Sequence, residues 1–543
     1  QYYINVYYIT MSNFENLVSI IIPTFRGDHS IYKMCKELLK IFCDHKVEII
    51  VVNDCSPDNT HQECLKLVDE HPNQFTYIKL SKNVGEHNAV MAGLRYSNGD
   101  WVIIMDDDFQ NPPKEALKLL DYSTSNNFDV IYGDYGISWD EPYHRINGFV
   151  SLNFLRKIFF LDIYPGLEHD SKFLAESSKT YGVLFDLPMA LIEKKFLIND
   201  SKHYFLLRHF FNFIIFFISS IFFYLILKKR FSDRLSLIGL LFLILSPRIF
   251  AESFYNMKDL IFLSFFVISL FFVVNFLDTP SYKNALLSAL TCSFVIDVKV
   301  VGIISPFIVI IFFTLKCMDN KIFLKKNIFK IFTFLIFLIL FTVLFWPYLW
   351  DDPLGNFLHA IKDMSYHVWT GSVFYLGNRI SALNLPWHYS IVWMSVTVPI
   401  IYLFFFILGS FLIFKRLFKR FLNLSTKNNF NELWRGNKER MDIIFFLIFY
   451  FTLFLIIELN SVLYGGWRHL YFIYPCLIYM AIRGLEFFSR KFFSKYLIVL
   501  IAPFLLYTSY WMIKNHPYQF LYFNNLAGGN ITKNFDLDYW GTS

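Results

Sequence analysis

Two hydropathy regimes divide the chain. Up to about residue 133, short apolar runs alternate with mixed-charge stretches; from Arg208 onward, long apolar runs follow one another with short polar loops between them. In the first regime Val18-Ser-Ile-Ile-Ile-Pro-Thr-Phe predicts a buried strand ending at Pro23, then a polar turn and a helix over 30–43. Val47-Glu-Ile-Ile-Val-Val-Asn-Asp predicts a second strand with Asp54 at its carboxyl end, and Trp101-Val-Ile-Ile-Met a third that delivers Asp106-Asp107-Asp108. Strands alternating with helices predict a parallel α/β sheet whose ligands collect at the strands' carboxyl ends.

In the second regime, runs at 208–227, 235–250, 258–277, 283–298, 300–315, 327–346, 394–414, 442–459, 469–488 and 495–512 predict about ten membrane-spanning helices. Lys and Arg concentrate at 228–234, 316–330, 415–440 and 490–495, alternating with loops at 251–257, 347–390 and 460–467 that are poor in them. The positive-inside rule puts the basic set in the cytoplasm and the acid-rich loops outside. The chain then divides into 1–11, an upstream read-through or disordered leader before Met11; 12–133, a truncated α/β domain; 134–207, an outer acidic loop with amphipathic helices; 208–512, the membrane helices; and 513–543, an outer C-terminal segment, also truncated.

Composition sharpens this division. Hydrophobic residues make up 55% and charged residues 17%, which excludes an ordinary soluble protein. The net charge of +6 sits in short inter-helix loops and speaks to topology rather than to nucleic acid. The seven Cys show no CxxC or Cys/His spacing, so they read as free thiols.

The first part offers chemistry at its strand ends. A nucleotide diphosphate is a polyanion, and carboxylates hold it only through a divalent cation; Asp106 and Asp108, at i and i+2, supply hard oxygen ligands for Mg²⁺ or Mn²⁺. A lone Asp-x-Asp is by default an acidic surface turn. Here Ile-Pro-Thr-Phe, Val-Asn-Asp-x-Ser-x-Asp and Asn-Val-Gly-Glu-His-Asn-Ala…Asp-Asp-Asp-Phe-Gln-Asn-Pro-Pro together resemble glycosyltransferase family 2, nearest the polyprenyl-phosphate sugar synthases of the dolichyl-phosphate-mannose-synthase kind. The resemblance implies a GT-A-like nucleotide-diphospho-sugar transferase fold with Pro23, Asp54 and Asp106 at the nucleotide sugar, and Asp106, Asp108 and Gln110 at the metal. It ends near Gly133, before the acceptor half of such a domain.

On the outer face of the second part, ionisable residues gather near bilayer depth, where they line cavities or pair with one another. Asp297 and Lys299 form either such an ion pair or part of a site. A carboxylate that deprotonates a hydroxyl, with cations that stabilise a phosphate leaving group, suits sugar transfer from a lipid phosphate. Trp-Asp-Glu-Pro, Tyr-Gly-x-Leu-Phe-Asp-Leu, Leu-Arg-His-Phe-x-Asn, Ser-Pro-Arg-Ile-Phe-Ala-x-Ser-Phe-Tyr-Asn-x-Lys-Asp and Trp-Arg-His-Leu-Tyr-Phe-x-Tyr-Pro resemble the polytopic GT-C superfamily, near the protein-mannosyltransferase and aminoarabinose-transferase group. That resemblance implies Asp140 as base with Glu141 beside it, Glu252 or Asp259 as the second acidic position, and Arg248, Lys258, Arg468 and His469 at the lipid phosphate. It implies a polyprenyl-phosphate-linked sugar and a hydroxyl acceptor as partners, and no cofactor in the membrane part.

The expected protein is therefore a multi-pass glycosyltransferase of the plasma (inner) membrane, carrying a family 2 nucleotide-sugar-binding remnant at its front. The front domain is expected in the cytoplasm, yet no apolar segment between it and Asp140 is long enough to cross a bilayer. Two alternatives stand beside this reading: a transporter or flippase of lipid-linked saccharides, and a chimera of two adjacent glycosyltransferase genes.

Overall fold

The computed structural model describes residues 5–7, 17–126 (except 84, 108 and 110–112), 138–161 (except 139), 181–198, 201–423 (except 320, 366–368 and 370), 433–491 and 497–536 (except 530). The chain forms two compact units, Gln1–Gly133 and Asp134–Ser543.

The first unit is a five-stranded sheet in the order β1-β4-β3-β2-β5, with β1 Asn5–Tyr7, β2 Leu17–Thr24, β3 Lys46–Asn53, β4 Phe75–Lys79 and β5 Trp101–Ile104. β2, β3, β4 and β5 are parallel; β1 is antiparallel to β4. Every residue of β2 is buried, as expected for a strand covered on both faces. Val18, Ile20 and Ile22 meet Met34, Leu38 and Leu67 of the helices Ile31–Ile41 and Thr60–Glu70. Ile21 faces the other way, toward Ile50, Ile78 and Ala89 of the helix Glu86–Leu94. β4 was not among the expected strands, because Phe-Thr-Tyr-Ile-Lys is short and mixed. The leader expected to be disordered contributes β1, an edge strand that needs a partner on one side only.

The second unit is helical. Among the described residues seven helices are long and apolar enough to cross a membrane: His203–Arg230, Asp259–Asp278, Val300–Met318, Lys321–Phe345, Ile400–Leu422, Gly436–Glu458 and Arg468–Arg490. The expected run 235–250 becomes a pair, Asp233–Ile244 and Pro247–Tyr255, bent by 62°, which brings the count to eight if taken as one span. The bend falls where Pro247 starts the second helix; the Ser246 hydroxyl does not cap that helix and instead meets the buried Tyr474 hydroxyl at 2.5 Å. The run 283–298 forms Tyr282–Val298, a 17-residue helix, and 495–512 forms Leu497–Lys514; neither is among the seven. Ten apolar runs thus give seven or eight spans among the described residues.

Close packing rests on a glycine pair. A Cβ on Gly409 would lie 1.8 Å from the Met480 carbonyl oxygen, and one on Gly484 would lie 2.1 Å from that of Phe405, so these helices touch backbone to backbone. One end of the unit is knotted by charge. Asp442, fully buried, accepts from Arg230 at 2.8 and 3.2 Å, from Arg416 at 2.9 Å and from the Tyr479 hydroxyl at 2.7 Å. Asp278, at the same end, takes Arg440 at 2.5 Å and Lys229 at 3.2 Å. Asp278 closes the helix that Asp259 opens, so the two carboxylates stand about 30 Å apart at 1.5 Å per residue.

Candidate active site

Asp259 is the hub of the opposite end. Asn256, in the turn before it, accepts the Asp259 amide at 2.9 Å and donates to Asp259 Oδ2 at 3.1 Å and to Glu252 Oε2 at 2.7 Å. Lys299 Nζ donates to Asp259 Oδ1, and Arg468 Nη1 lies 3.4 Å from Asp259 Oδ2. Arg468 reaches equally to Asp140 Oδ2, at 3.3 Å, and its guanidinium covers the Tyr464 ring at 4.8 Å. Four segments distant in sequence thus converge on one chain of charges: Asp140, Arg468, Asp259, Lys299. All but Asp140 are buried; Asp140 is 43% exposed.

Asp140 is carried by a braced helix. It precedes Glu141–Ile158, and Pro142 suits the first turn of that helix. Glu141 turns away from Asp140 into the protein, where it accepts the Ser138 amide and the His209 ring, each at 2.8 Å. Its carboxylate therefore braces the start of the helix and points away from Asp140, beside which the resemblance set it. Arg208, the neighbour of His209, is fully buried and donates to Glu193 at 2.8 Å and to Asp186 at 3.3 Å; Arg145 takes the other Glu193 oxygen at 2.8 Å. Gly148 lets the two outer helices close, since a Cβ there would lie 2.3 Å from the Asp186 carbonyl. The motif Leu-Arg-His-Phe is thus the clamp that holds Asp140 in place. Its signal in sequence was an Arg-His pair near the start of an apolar helix, but its partners lie elsewhere in the chain.

The cations take separate places, and of the two readings open for Asp297 and Lys299 the ion pair is not the one that forms. Asp297 and Lys299 do not pair: Lys299 turns to Asp259, while Asp297 Oδ1 accepts the Leu184 amide at 2.9 Å. The helix ends at Val298, and the extended backbone at Lys299 sends the two side chains apart. Lys258 is half-buried over the Tyr181 ring at 4.2 Å, with no carboxylate within 4 Å among the described residues. Burial holds its ammonium down at about 8, against the opposing pull of Asp186. Burial likewise pushes the Tyr181 hydroxyl up and holds the His144 imidazole down at about 4, so both are neutral at pH 7. Arg248 lies apart from Asp140, its Nε on the Tyr522 carbonyl at 3.2 Å and its guanidinium 4.7 Å from the Phe523 ring. His469 sits edge-on to Tyr464, ring centres 4.7 Å apart. Glu252 is buried beneath the hub and accepts the Tyr471 hydroxyl at 2.6 Å.

In the first unit the sheet order reverses beside β2, the usual place for a ligand crevice. Thr24, at the end of β2, donates its hydroxyl to Asp107 beyond β5. Asp54, 3% exposed, accepts the Gly85 amide at 2.8 Å. Arg26, Cys55 and Phe109, each just past a parallel strand, have φ of 62°, 58° and 62°. Left-handed backbone at non-glycine residues is strained and clusters at functional sites. Pro23 is buried within β2, opposite Val52. Asp106 is exposed at the end of β5; Asp108 and Gln110 lie outside the described residues. Among the described residues no three His, Cys, Asp or Glu side chains gather as for a metal ion.

Residues 19–169 match the family "Glycosyl transferase family 2", and residues 202–346 match "Dolichyl-phosphate-mannose-protein mannosyltransferase". Two segments that match different glycosyltransferase families thus follow one another in the chain. The chain is 35% identical over 130 residues to the undecaprenyl-phosphate 4-deoxy-4-formamido-L-arabinose transferase of Proteus mirabilis, covering 22% of this chain and 38% of that protein. It is 32% identical over 121 residues to the protein of that name from Pseudomonas syringae pv. syringae, covering 21% of this chain and 34% of the relative. The chain thus spans little more than a third of the length of these relatives. A solved structure, the Archaeoglobus fulgidus oligosaccharyltransferase in the apo form, aligns over 79% of this chain and 59% of its own with a TM-score of 0.45 and 12% identity.

Proposed function

We propose that the chain is a membrane glycosyltransferase that moves a sugar from a polyprenyl-phosphate donor to a hydroxyl acceptor, with Asp140 as general base. The observation that carries this reading is the Asp140–Arg468–Asp259 bridge, which holds a partly exposed carboxylate against a buried cation network. Asp140 takes the proton of the incoming hydroxyl as its oxygen attacks the anomeric carbon, and the carbon–phosphate oxygen bond breaks toward the lipid phosphate. The departing phosphate gains charge, so a cation placed there lowers the barrier. Lys258 suits that task best, because Arg468 is committed to two carboxylates and Arg248 to the Tyr522 carbonyl. Asp259, Glu252 and Lys299 then position Arg468 and, through it, Asp140.

The printed names of the relatives support a polyprenyl phosphate as lipid partner. The Asp140 end faces outward from the inner membrane in this reading, since Arg230, Arg416 and Arg440 gather at the other end of the spans. The first unit would bind a nucleotide sugar at Asp54 and Pro23, with Mg²⁺ or Mn²⁺ at Asp106, Asp108 and Gln110. A bound cation would screen the diphosphate; Asp106, exposed at a strand end, offers the hard oxygen such a cation needs. The test is transfer in proteoliposomes, with labelled sugar on undecaprenyl phosphate and cell-envelope extract as acceptor source. Wild-type protein is expected to release free undecaprenyl phosphate; no release from any lipid-linked sugar offered sinks the reading.

A further inference from the structure

Three side chains lie beneath the turn that carries Asp54. Asn53, fully buried at the end of β3, accepts the Ser56 amide on its Oδ1 at 2.8 Å. An amide oxygen only accepts and its nitrogen only donates, so that bond fixes the Asn53 side chain with Nδ2 turned toward β4. There Nδ2 donates to the hydroxyl of Tyr77, a buried residue of β4, at 3.0 Å. The same hydroxyl lies 2.9 Å from Nδ1 of His61, the second residue of the helix Thr60–Glu70. The two rings stack with centres 5.7 Å apart, and His61 itself is half-buried. A neutral imidazole with its proton on Nε2 accepts the tyrosine proton, so the donors run one way, from Asn53 to Tyr77 to His61.

The turn needs such a hold. Cys55, between Asp54 and Ser56, has φ of 58°, a backbone state that costs energy for a residue with a Cβ. On one side of it Asp54 is tied, its amide to the Thr24 carbonyl at 2.9 Å and its carboxylate to the Gly85 amide at 2.8 Å. On the other side Ser56 is tied by Asn53, and its hydroxyl accepts the Arg26 amide at 3.1 Å. Rotation of the Asn53 amide would release Ser56, and with it the link to the loop after β2. We propose that His61 and Tyr77 are positioning residues for the ligand of the first unit: they lock the Asn53 amide, which locks the turn 54–56 that presents Asp54. That the ligand is a nucleotide rests on the reading of Asp54 given above; that the relay sets the turn does not.

His61→Leu removes the acceptor at similar volume, and His61→Gln restores one through its Oε1. His61 is half-buried on its helix, so neither change empties the core. Tyr77→Phe keeps the ring and cuts the relay at its centre. Full-length protein in detergent is followed by hydrogen exchange with mass spectrometry over residues 54–60, and by calorimetry with UDP, GDP, ADP and CDP, each with Mg²⁺. In His61→Leu and in Tyr77→Phe the 54–60 segment is expected to exchange faster, with β3 protected as in wild type. Affinity for whichever nucleoside diphosphate wild-type protein binds is expected to fall about fivefold, the size of one lost hydrogen bond. His61→Gln should recover both, and the double variant should be no worse than Tyr77→Phe alone, because the two residues act in one chain. The proposal is overturned if His61→Leu leaves either the exchange or the affinity at the wild-type level. It is overturned equally if His61→Gln fares no better than His61→Leu, or if the two losses add in the double variant. Should wild-type protein bind none of the nucleoside diphosphates while the exchange pattern holds, the relay stands and the nucleotide reading falls.

Discussion

Asp140 and Arg468 meet at 3.3 Å although 328 positions separate them in the chain. The same Arg468 nitrogen reaches Asp259 at 3.4 Å, so one guanidinium ties a partly exposed carboxylate to a buried one. This relationship ranks the residues around it. Asp140 is partly exposed and, in the proposed reaction, faces the incoming hydroxyl; Asp259 and Lys299 are buried and hold the guanidinium from behind. A change at Asp140 then touches chemistry, whereas a change at Asp259 or Lys299 touches architecture first.

Asp140→Asn separates these roles. The amide still accepts from Arg468, so the helix Glu141–Ile158 stays in place, while the proton acceptor is lost. Transfer is expected to fall by roughly 10²–10⁴-fold, the usual worth of a general base. Membrane insertion and thermal stability in detergent should match wild type. Transfer at the wild-type rate, at equal protein level, would rule Asp140 out as base.

Lys299→Met is expected to destabilise the second unit. Among the described residues it leaves buried Asp259 with Arg468 and Asn256 for partners, and stripping one partner from a buried ion pair costs about 3–5 kcal/mol. Combining it with Asp259→Asn removes the stranded charge and should restore much of the folded fraction, without restoring transfer. The check is the fraction surviving a heat step, read by fluorescence-detected size exclusion. Equal survival of the Lys299→Met variant and wild type would show that the pair carries no stability.

These roles mark how far the sequence could be read. Strand period, proline position and acidic strand ends gave the α/β sheet, since those signals are local. Among the described residues apolar run length located the seven spanning helices but overcounted them at about ten, and it missed the bend at Pro247, because length says nothing about where a run breaks. Motif resemblance named Asp140, Asp259, Lys258 and Arg468, which the fold brings to one end of the unit. It could not say that Glu141 turns inward to His209, or that Lys299 chooses Asp259 over its neighbour Asp297. Those choices depend on helices that approach only in three dimensions, and residues adjacent in sequence on a helix point to different sides.

Asp54 and Asp106 should affect only the first unit's ligand. Asp54→Ala removes the acceptor of the Gly85 amide and loosens the loop that crosses the strand ends. Asp106→Ala removes an exposed carboxylate and leaves the sheet intact. Both are expected to weaken binding of a nucleoside diphosphate in the presence of Mg²⁺ by at least tenfold in calorimetry, about 1.4 kcal/mol. Transfer from preformed lipid-linked sugar should be unchanged in both. A drop in that transfer, at equal protein level, would mean that the two units are coupled.

Lys258 gives the reaction a pH limb of known sign. Burial holds its ammonium at about 8, with Asp186, Asp297 and Asp259 raising it and Lys299 lowering it. Only the protonated form attracts a phosphate, so the fraction competent to bind donor falls as pH rises through that value. The pH profile of kcat/KM reports the free enzyme, so its alkaline limb is expected to break near pH 8. A donor phosphate raises the lysine's affinity for its proton, so the break in kcat should lie higher. Lys258→Arg keeps the charge to far higher pH and should abolish the break near 8, leaving kcat/KM flat to about pH 10. Lys258→Met should lower kcat/KM about 100-fold at pH 7, the usual order for removing one stabilising donor at a developing charge. If Lys258→Arg retains the break, the titrating group is another one, and the phosphate role passes to Arg468 or His469.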